Sequence, residues 1–252
     1  QGDLGYSFIY NQPALELVLQ RLPATMELAF AALIIALVVG VPLGLISGLY
    51  PKSTWSHVIM TGSILGFSLP TFWVGLMLIM AFSVSLGWLP ASGRGTTVTL
   101  WGLQWSFLTA DGLYHMILPA FNLALFKMSL VIRLTHAGVR EVLPLDYIKF
   151  AKAKGLAPSR IIGVHVLRNL MIPLVTVIGL ELGVTIAGAV VTESIFSWPG
   201  AGKLILDSIN NLDRPVILAY LILIVCVFVT INFLVDVAYR LIDPRVRKEP
   251  SA

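Results

Sequence analysis

The stretch Met26–Leu49 reads MELAFAALIIALVVGVPLGLISGL, and it decides the class of fold. Glu27 stands at its start, and no charged residue follows within it. A helix of about 20 apolar residues is long enough to cross the hydrocarbon core of a bilayer. The whole chain has the same character, since 57% of its 252 residues are hydrophobic and 12% are charged, against about 25% charged residues in soluble domains. The sequence therefore predicts an integral membrane protein.

Four further apolar stretches predict membrane spans. The second of the five lies in a run from Val58 to Gly93 that has no charged residue and is too long for one straight span. Pro70 removes a backbone donor and clashes with the preceding turn, so we expect a bend or break near Ser68. Unpaired backbone amides are costly in lipid, so all five spans are predicted to be α-helices. We place them at 26–49, 58–88, 115–135, 170–191 and 216–237.

Lys and Arg concentrate on one side of these spans. Seven lie from Arg133 to Arg168, and Lys52 follows the first span. Because cytoplasmic loops carry the excess of Lys and Arg, we expect residues 146–169 and the C terminus on the cytoplasmic side. The expected inner side also has Arg240, Arg245, Arg247 and Lys248, whereas the expected outer side has Arg21, Arg94, Lys203 and Arg214. This bias accounts for the formal net charge of +4, and basic residues beside membrane ends predict contact with lipid and no nucleic-acid partner.

The first residues, QGDLGYSF, fall on the outer side when five spans end in the cytoplasm. They resemble neither a start methionine nor a signal peptide. We expect an additional span before residue 1. A five-span protein with an outer amino terminus is the alternative.

The cytoplasmic stretch Asp146–Asn169, DYIKFAKAKGLAPSRIIGVHVLRN, predicts two helices joined by a turn. Asp146 is a suitable N-cap for the first helix. Gly155 is the residue type most able to end a helix in a left-handed conformation, and Pro158 marks the start of the second helix. At α-helical spacing, one face of that second helix is predicted to hold Ile161, Ile162, His165 and Leu167.

The first cytoplasmic helix carries an aromatic patch with a basic rim. Tyr147, Phe150 and Ala151 follow i, i+3, i+4 spacing, and Lys149 and Lys152 flank them. This pattern suits insertion of the helix into a groove of a protein partner. It suits equally a helix that lies on anionic lipid, and the residues alone leave both interpretations open.

Six segments carry a resemblance that covers nearly the whole chain. In order they are QGDLGYS (1–7), LPATMELA (22–29), DYIKFAKAKGL (146–156), HVLRNLMIPLVTVIGLELG (165–183), TESIFSWPGAGKLI (192–205) and LVDVAYRLIDPRVRK (234–248). With them the chain resembles the permease subunits of bacterial ABC importers for dipeptides and oligopeptides. The resemblance implies an all-α, type I ABC importer permease fold in one membrane domain over 1–252, with a further span before residue 1.

The resemblance also implies a role for the cytoplasmic helix pair, residues 144–168. In such permeases this pair is the coupling element that sits in a cleft of the ATPase subunit. The broader importer consensus has Glu-Ala-Ala six residues before the glycine, where this chain has a Lys-Phe-Ala sequence typical of the more basic peptide branch. The ATPase-coupling residues implied are Asp146, Tyr147, Lys149, Phe150, Ala151, Lys152, Ala153, Lys154 and Gly155.

The partners implied by the resemblance are a second, homologous permease, two ATP-binding subunits and an extracytoplasmic solute-binding protein. ATP and Mg are then bound by the partner subunits, and we expect no cofactor in this chain. The chain would be a non-catalytic, multi-pass subunit of the bacterial inner membrane that imports di- or oligopeptides. Nickel chelates, glutathione and oligosaccharides use closely similar permeases and stay open as substrates.

The sequence favours neither a nucleotide-binding protein nor an enzyme. The segment PGAGKLIL, 199–206, imitates a phosphate-binding loop but has Ser197 where the first glycine belongs and Leu204 where Ser or Thr belongs. No catalytic motif such as H-E-x-x-H or G-x-S-x-G occurs, so we expect neither a catalytic nor a metal site. The histidines are scattered, at His57, His115, His136 and His165.

Lys127 and Glu181 each lie near the middle of a predicted span. Intramembrane ionisable groups carry the ion in secondary transporters, which is the rival transport mechanism. A lone charge at the centre of a span costs about 2.5–3.5 kcal/mol on insertion scales, so we expect the two groups to pair. The pair can serve structural neutralisation, which we favour, or contact substrate.

The expected outer segment TESIFSWPGAG, 192–202, begins where a span ends. Aromatic residues at this level usually anchor a protein in the membrane interface. The resemblance implies instead a periplasmic segment near the translocation path and the docked binding protein, and both interpretations stay open. The residues concerned are Glu193, Phe196, Trp198, Pro199 and Gly200. The outer stretch 88–114, with Trp101 and Trp105, is also expected to pack against the binding protein.

Overall fold

The computed structural model describes residues 4–242, and their side chains except those of residues 172 and 238–242. The side chain of Arg240 and the residues Arg245, Arg247 and Lys248, which support the predicted orientation, lie outside this part. The described chain forms helices α1 (Ala14–Leu49), α2 (Thr54–Ser68), α3 (Thr71–Leu78, continued by a π-helical stretch at Ile79–Ser85), α4 (Ala110–Val142), α5 (Asp146–Ala153), α6 (Pro158–Arg160, continued by a π-helical stretch at Ile161–Val166), α7 (Leu167–Gly188), α8 (Val190–Ile195), α9 (Ala201–Asn210) and α10 (Arg214–Ile242).

By length and composition, three of these helices can each cross a membrane: α1, α4 and the Arg214–Val237 part of α10. The number rises to five if each of two bent pairs counts as one span. The pairs are Thr54–Ser68 with Thr71–Ser85 and Pro158–Met171 with Pro173–Gly188. Each of the five predicted spans overlaps one of these candidates, counted over residues 4–242.

The predicted break at Pro70 is present. Helix α2 ends at Ser68, and α3 begins at Thr71 with Pro70 in an extended conformation before it, at φ −61° and ψ 131°. The Pro70 carbonyl accepts the backbone N–H of Val74 at 3.1 Å, so the proline starts the new helix. The local chemistry of one residue therefore divides the second predicted span.

A short β-hairpin in the outer stretch 88–114 departs from the all-α prediction. Its strands β1 (Val98–Leu100) and β2 (Leu103–Trp105) pair antiparallel. The two turn residues, Trp101 and Gly102, both have positive φ, at 53° and 77°. This is the two-residue turn whose twist matches that of the flanking strands.

The described chain forms two compact units. The first comprises residues 4–33, 69–124 and 182–230, and the second comprises residues 34–68, 125–181 and 231–242. The core of the first unit packs the start of α1 against α9 and the start of α10. Its buried residues are Ala14, Leu17, Val18, Ala201, Leu204, Ile205, Val216, Ala219 and Tyr220. This packing explains why α1 begins at Ala14, well before the apolar stretch at Met26.

The core of the second unit holds the cytoplasmic helix pair. Residues of α4, α5, α6 with its π-helical continuation, and α7 are buried together, namely Val131, Val139, Val142, Ile148, Ala151, Ile161, Val166, Leu170 and Leu174. The helix pair is therefore packed on the ends of membrane helices.

A stripe of glycines brings α1 and α4 together within the second unit. A Cβ added to Gly40, Gly44 or Gly48 would meet α4 at 2.9, 2.5 or 2.7 Å, against Val131, Thr135 and Val139 respectively. Small residues four apart allow the backbones of membrane helices to approach closely. Close packing matters for helix association in the membrane because lipid offers no hydrophobic driving force for it.

Candidate functional site

The first cytoplasmic helix, α5, begins at Asp146, one residue earlier than predicted. Leu145 is the N-cap, because its backbone is extended and its carbonyl accepts the N–H groups of Ile148 and Lys149. The prediction of Asp146 as N-cap was wrong. Asp146 is the first helical residue, and its carboxylate accepts a hydrogen bond from the Lys149 ammonium at 2.8 Å.

Gly155 ends this helix in the left-handed conformation that the sequence predicts, at φ +75°. The N–H of Gly155 donates to the Lys152 carbonyl at 2.9 Å, and the N–H of Leu156 donates to the Ala151 carbonyl at 3.3 Å. These two bonds make a Schellman motif. No atom lies within 4 Å of a Cβ added at Gly155, so backbone conformation alone selects glycine here.

The two faces of α5 differ sharply. Ile148 and Ala151 are buried in the core of the second unit, whereas Tyr147 and Phe150 are 40% and 61% exposed. The prediction that Ala151 belongs to the exposed patch was therefore wrong, because Ala151 lies on the same buried side of the helix as Ile148, three residues before it. The exposed apolar surface consists of Tyr147 and Phe150, and the Lys154 ammonium lies 4.6 Å from the Phe150 ring centroid.

Of the four residues predicted to share one face of the second cytoplasmic helix, Ile161 is the most deeply buried. Ile161 and Val166, five residues apart, are buried, while Ile162, His165 and Leu167 are only partly buried. The π-helical geometry of Ile161–Val166 explains why Val166 is buried with Ile161, since residues five apart become neighbours in that geometry.

A hydrogen-bonded contact links the two cytoplasmic helices. Asn169 Nδ2 donates to the Tyr147 hydroxyl at 2.8 Å and to the His165 carbonyl at 2.6 Å. The rings of Tyr147 and His165 lie 6.4 Å apart between centroids. With the shared buried core, these contacts hold α5 in a defined orientation on the second helix.

The structure brings Lys127 and Glu181 together inside the second unit. The Lys127 ammonium on α4 lies 2.6 Å from a carboxylate oxygen of Glu181 on α7. Their side chains are 8% and 22% exposed, so the pair is largely shielded. Each charge is compensated by the other.

Glu193, in the first unit, fills the amino-terminal end of α9. One carboxylate oxygen accepts the Thr25 hydroxyl at 2.6 Å, and the other accepts the backbone N–H of Lys203 at 2.8 Å. Thr25 in turn accepts the N–H of Ala201 at 2.9 Å. A Cβ at Gly200 would overlap the Glu193 carboxylate. The glycine-rich sequence that imitates a phosphate loop thus surrounds a buried protein carboxylate.

Burial raises the pKa of the Glu193 carboxyl above its ordinary value, and this is the largest influence on it. The hydrogen bonds from Thr25 and from the backbone of Lys203 and Gly202 act in the opposite direction, because they stabilise the ionised form. The protonated acid is thereby favoured over a wider pH range than in water.

The aromatic residues of the outer segment lie inside the first unit. The rings of Phe196 and Trp198 are fully buried, and the Trp198 indole N–H donates to the Ala24 carbonyl at 2.9 Å. Pro199 is only partly buried and lines a cleft of about 410 Å³ together with Gln20 and Arg21. Of the predicted outer residues, Pro199 and Gly200 border open clefts, and the two buried rings hold the segment in place.

A buried ion pair ties the outer stretch to α1, and sequence reasoning missed it. Arg94 Nη2 donates to the Glu27 carboxylate at 2.6 Å, and the backbone N–H and hydroxyl of Ser106 each donate to it at 2.7 Å. Arg94 also donates to the Gln104 carbonyl at 2.7 Å. The signal for it was Glu27, an isolated acid at the start of an apolar span.

Within residues 4–242 no group of three or more His, Cys, Asp or Glu side chains is arranged to hold a metal ion.

Comparison with known proteins identifies the family. The family described as binding-protein-dependent transport system inner membrane component matches residues 40–248. This chain belongs to that family. It is thus a multi-pass permease of the inner membrane. All the buried contacts of α5, from Ile148 to Ala151, lie within the matched range.

Relatives that match nearly the whole chain include two peptide permeases. The di/tripeptide transport system permease protein DppB of Pseudomonas aeruginosa is 42% identical over an alignment of 263 residues, gaps included. The alignment covers 99% of this chain and 78% of the relative. The oligopeptide transport system permease protein AppB of Bacillus subtilis is 40% identical over 247 residues, which cover 98% of this chain and 76% of the relative.

A solved structure shows the fold. This chain matches a chain of an inward-facing structure of the MetNI methionine ABC transporter with a TM-score of 0.72 and 16% sequence identity. The match covers 92% of this chain and 98% of the other. The type I ABC importer permease fold expected from the sequence is therefore confirmed.

Proposed function

We propose that this permease carries dipeptides or oligopeptides across the inner membrane in an ATP-driven importer. Its relatives are named as di/tripeptide and oligopeptide permeases, which supports the substrate class. The complex would contain a second, homologous permease, two ATP-binding subunits and an extracytoplasmic binding protein. ATP and Mg would be bound by the ATP-binding subunits, and the C terminus of this chain would lie in the cytoplasm.

The exposed face of α5 is the observation that carries this proposal. Phe150 and Tyr147 project from a helix whose opposite face is anchored in the core of the second unit. A helix fixed in this way transmits a displacement of its exposed side to the membrane helices below it. An amphipathic helix lying on lipid has no need of that anchoring.

The energy to be transmitted sets a requirement on stiffness. If substrate affinity changes about 100-fold between inward-open and outward-open states, about 2.7 kcal/mol of differential free energy must reach the permease. The ATP-binding subunits would supply it by moving the cleft that holds Tyr147 and Phe150. The Schellman turn at Gly155 and the Asn169–Tyr147 hydrogen bond keep the helix pair from absorbing that motion.

The outer segment 192–202 would lie near the translocation path and the binding protein. Glu193, Phe196 and Trp198 serve this role through their buried contacts, which fix the position of Pro199 and Gly200. The compensated pair of Lys127 and Glu181 is best explained as structural neutralisation, because its two charges already satisfy one another.

The test uses the assembled complex in proteoliposomes. We expect uptake of a radiolabelled dipeptide to require ATP and the binding protein, and to persist when an ionophore dissipates ion gradients. Uptake that needs an ion gradient and no ATP would show a secondary transporter instead. Uptake of a nickel chelate, glutathione or an oligosaccharide in place of peptides would correct the substrate class alone.

The coupling role has its own variant. Phe150→Asp should lower copurification of the ATP-binding subunits, since truncating a central interface aromatic costs about 2 kcal/mol or more. Phe107→Asp is the matched control, because Phe107 is 46% exposed and lies in the outer stretch. Equal copurification in both variants would favour the lipid-surface interpretation of α5.

A further inference from the structure

Two phenylalanines and two cations form a row in the second unit. Phe67 on α2 and Phe126 on α4 stack with ring centroids 4.5 Å apart. Arg133 Cζ lies 4.7 Å from the Phe67 centroid, and Lys127 Nζ lies 5.6 Å from the Phe126 centroid. The stacked rings therefore have a cation at each end.

The two cations differ in how they are compensated. Lys127 is paired with Glu181 at 2.6 Å. Arg133 has no acidic side chain within 4 Å among the described residues, and its Nε atom is buried without a hydrogen-bond partner there. Arg133 thus carries a positive charge that no described acidic side chain neutralises, and its guanidinium is partly buried, unlike that of the exposed Arg140 further along α4.

A partly buried guanidinium without an acidic partner is stabilised when an anion reaches it. The group is planar, always charged, and offers donors in a fork that matches the two oxygens of a carboxylate. Because the Phe67 ring lies against one face of the Arg133 head group, a carboxylate would have to approach from the opposite face or from the edge of the guanidinium.

We propose that Arg133 binds the C-terminal carboxylate of the peptide during its passage through the permease. The Phe67–Phe126 stack would provide an apolar surface beside the peptide side chains. This inference rests on the proposed function, since it specifies how the permease recognises the same substrates. Its ligand chemistry is that of a free carboxylate on a short peptide.

The position of the Arg133 side chain favours a peptide over a membrane lipid. A basic side chain that serves a lipid head group extends so that its charge reaches the interface. Arg133 instead keeps its head group on an aromatic ring, with the Nε atom buried. Such a fixed cation is suited to a ligand that enters the protein.

The experiment measures peptide binding to the permease without the binding protein, which recognises peptides by itself. The complex of both permeases and both ATP-binding subunits is placed in nanodiscs, and a radiolabelled dipeptide is competed with the unlabelled free acid or with its C-terminal amide. We expect the wild-type complex to prefer the free acid by about tenfold, the effect of one charged hydrogen-bonded pair. Arg133→Gln should remove the preference, and Arg133→Lys should retain part of it.

Arg140→Gln is the matched control, because Arg140 lies two turns further along α4 and is exposed. It should leave the preference for the free acid unchanged. Wild-type complex without that preference, or Arg133→Gln with an intact preference, would overturn the proposal. Arg133→Gln that loses acid and amide binding equally, with a lower thermal unfolding temperature, would also overturn it and indicate a lipid or structural partner. ATP-dependent uptake by the wild-type complex is measured in parallel, so that failure of the proposed function is recognised separately.

Discussion

The Glu193 carboxylate accepts the backbone N–H of Lys203 at 2.8 Å, so a buried acid occupies the helix end that a phosphate loop would offer to a nucleotide. The helix end favours negative charge, and the carboxylate satisfies donors that have no partner within the helix. The glycines of this segment therefore serve an internal contact.

The burial of Glu193 predicts a pH dependence of stability. Because the pKa of Glu193 is raised above its ordinary value of 4.5, the stabilisation linked to its protonation is fully present below that value and is lost as the pH rises through the folded-state pKa. Glu193→Gln lacks this titration. We expect the thermal unfolding temperature of wild type relative to Glu193→Gln to fall as the pH is raised. A constant difference from pH 4 upward would contradict the prediction.

Gly155 offers a test of the cytoplasmic turn. Gly155→Val places a β-branched residue at φ +75°, where a non-glycine residue costs roughly 1–2 kcal/mol or more. Gly155→Asn is the control, since asparagine tolerates this conformation and no neighbour obstructs its side chain. We expect Gly155→Val to lower the ratio of peptide uptake to ATP hydrolysis and Gly155→Asn to preserve it. Normal coupling in Gly155→Val would count against a stiff turn.

The intramembrane pair predicts non-additive substitutions. Lys127→Met alone leaves Glu181 without its cation, and Glu181→Gln alone leaves the Lys127 ammonium uncompensated, each at a cost of about 2.5–3.5 kcal/mol. The double variant removes both charges, so its thermal stability and uptake should exceed those of either single variant. If all three variants are equally damaged, the two groups act separately.

The buried pair of Arg94 and Glu27 predicts a large loss of stability when Arg94 in the outer stretch is replaced. Arg94→Met leaves the buried Glu27 carboxylate without its guanidinium, and breaking a buried pair costs about 3–5 kcal/mol. Arg214→Met provides a control at an exposed cation. The unfolding temperature of the complex should fall for Arg94→Met and stay near the wild-type value for Arg214→Met. Similar values for both variants would show that the pair contributes little.

Sequence reasoning succeeded where one residue or one short pattern controls the backbone. The apolar stretch at Met26–Leu49, the break at Pro70 and the left-handed turn at Gly155 all depend on local chemistry. The pairing of Lys127 with Glu181 could also be predicted from the sequence, because the penalty for an isolated charge in lipid holds for any arrangement of helices.

Other features could not be predicted because they depend on which atoms meet. The π-helical stretch at Ile161–Val166 buries Val166 together with Ile161, and Ala151 is buried with Ile148 and is not part of the exposed patch. The pairing of Glu27 with Arg94 joins residues 67 positions apart, and no spacing rule connects them.

The amino-acid sequence by itself determined that this chain crosses a membrane, where its second span breaks and where its cytoplasmic turn lies, since hydropathy and backbone preference act over a few residues. The tertiary structure alone decided that Glu193 caps α9, that Tyr147 and Phe150 stay exposed while Ala151 does not, and that Arg133 lies uncompensated on Phe67. Packing chooses among contacts that the local sequence permits equally.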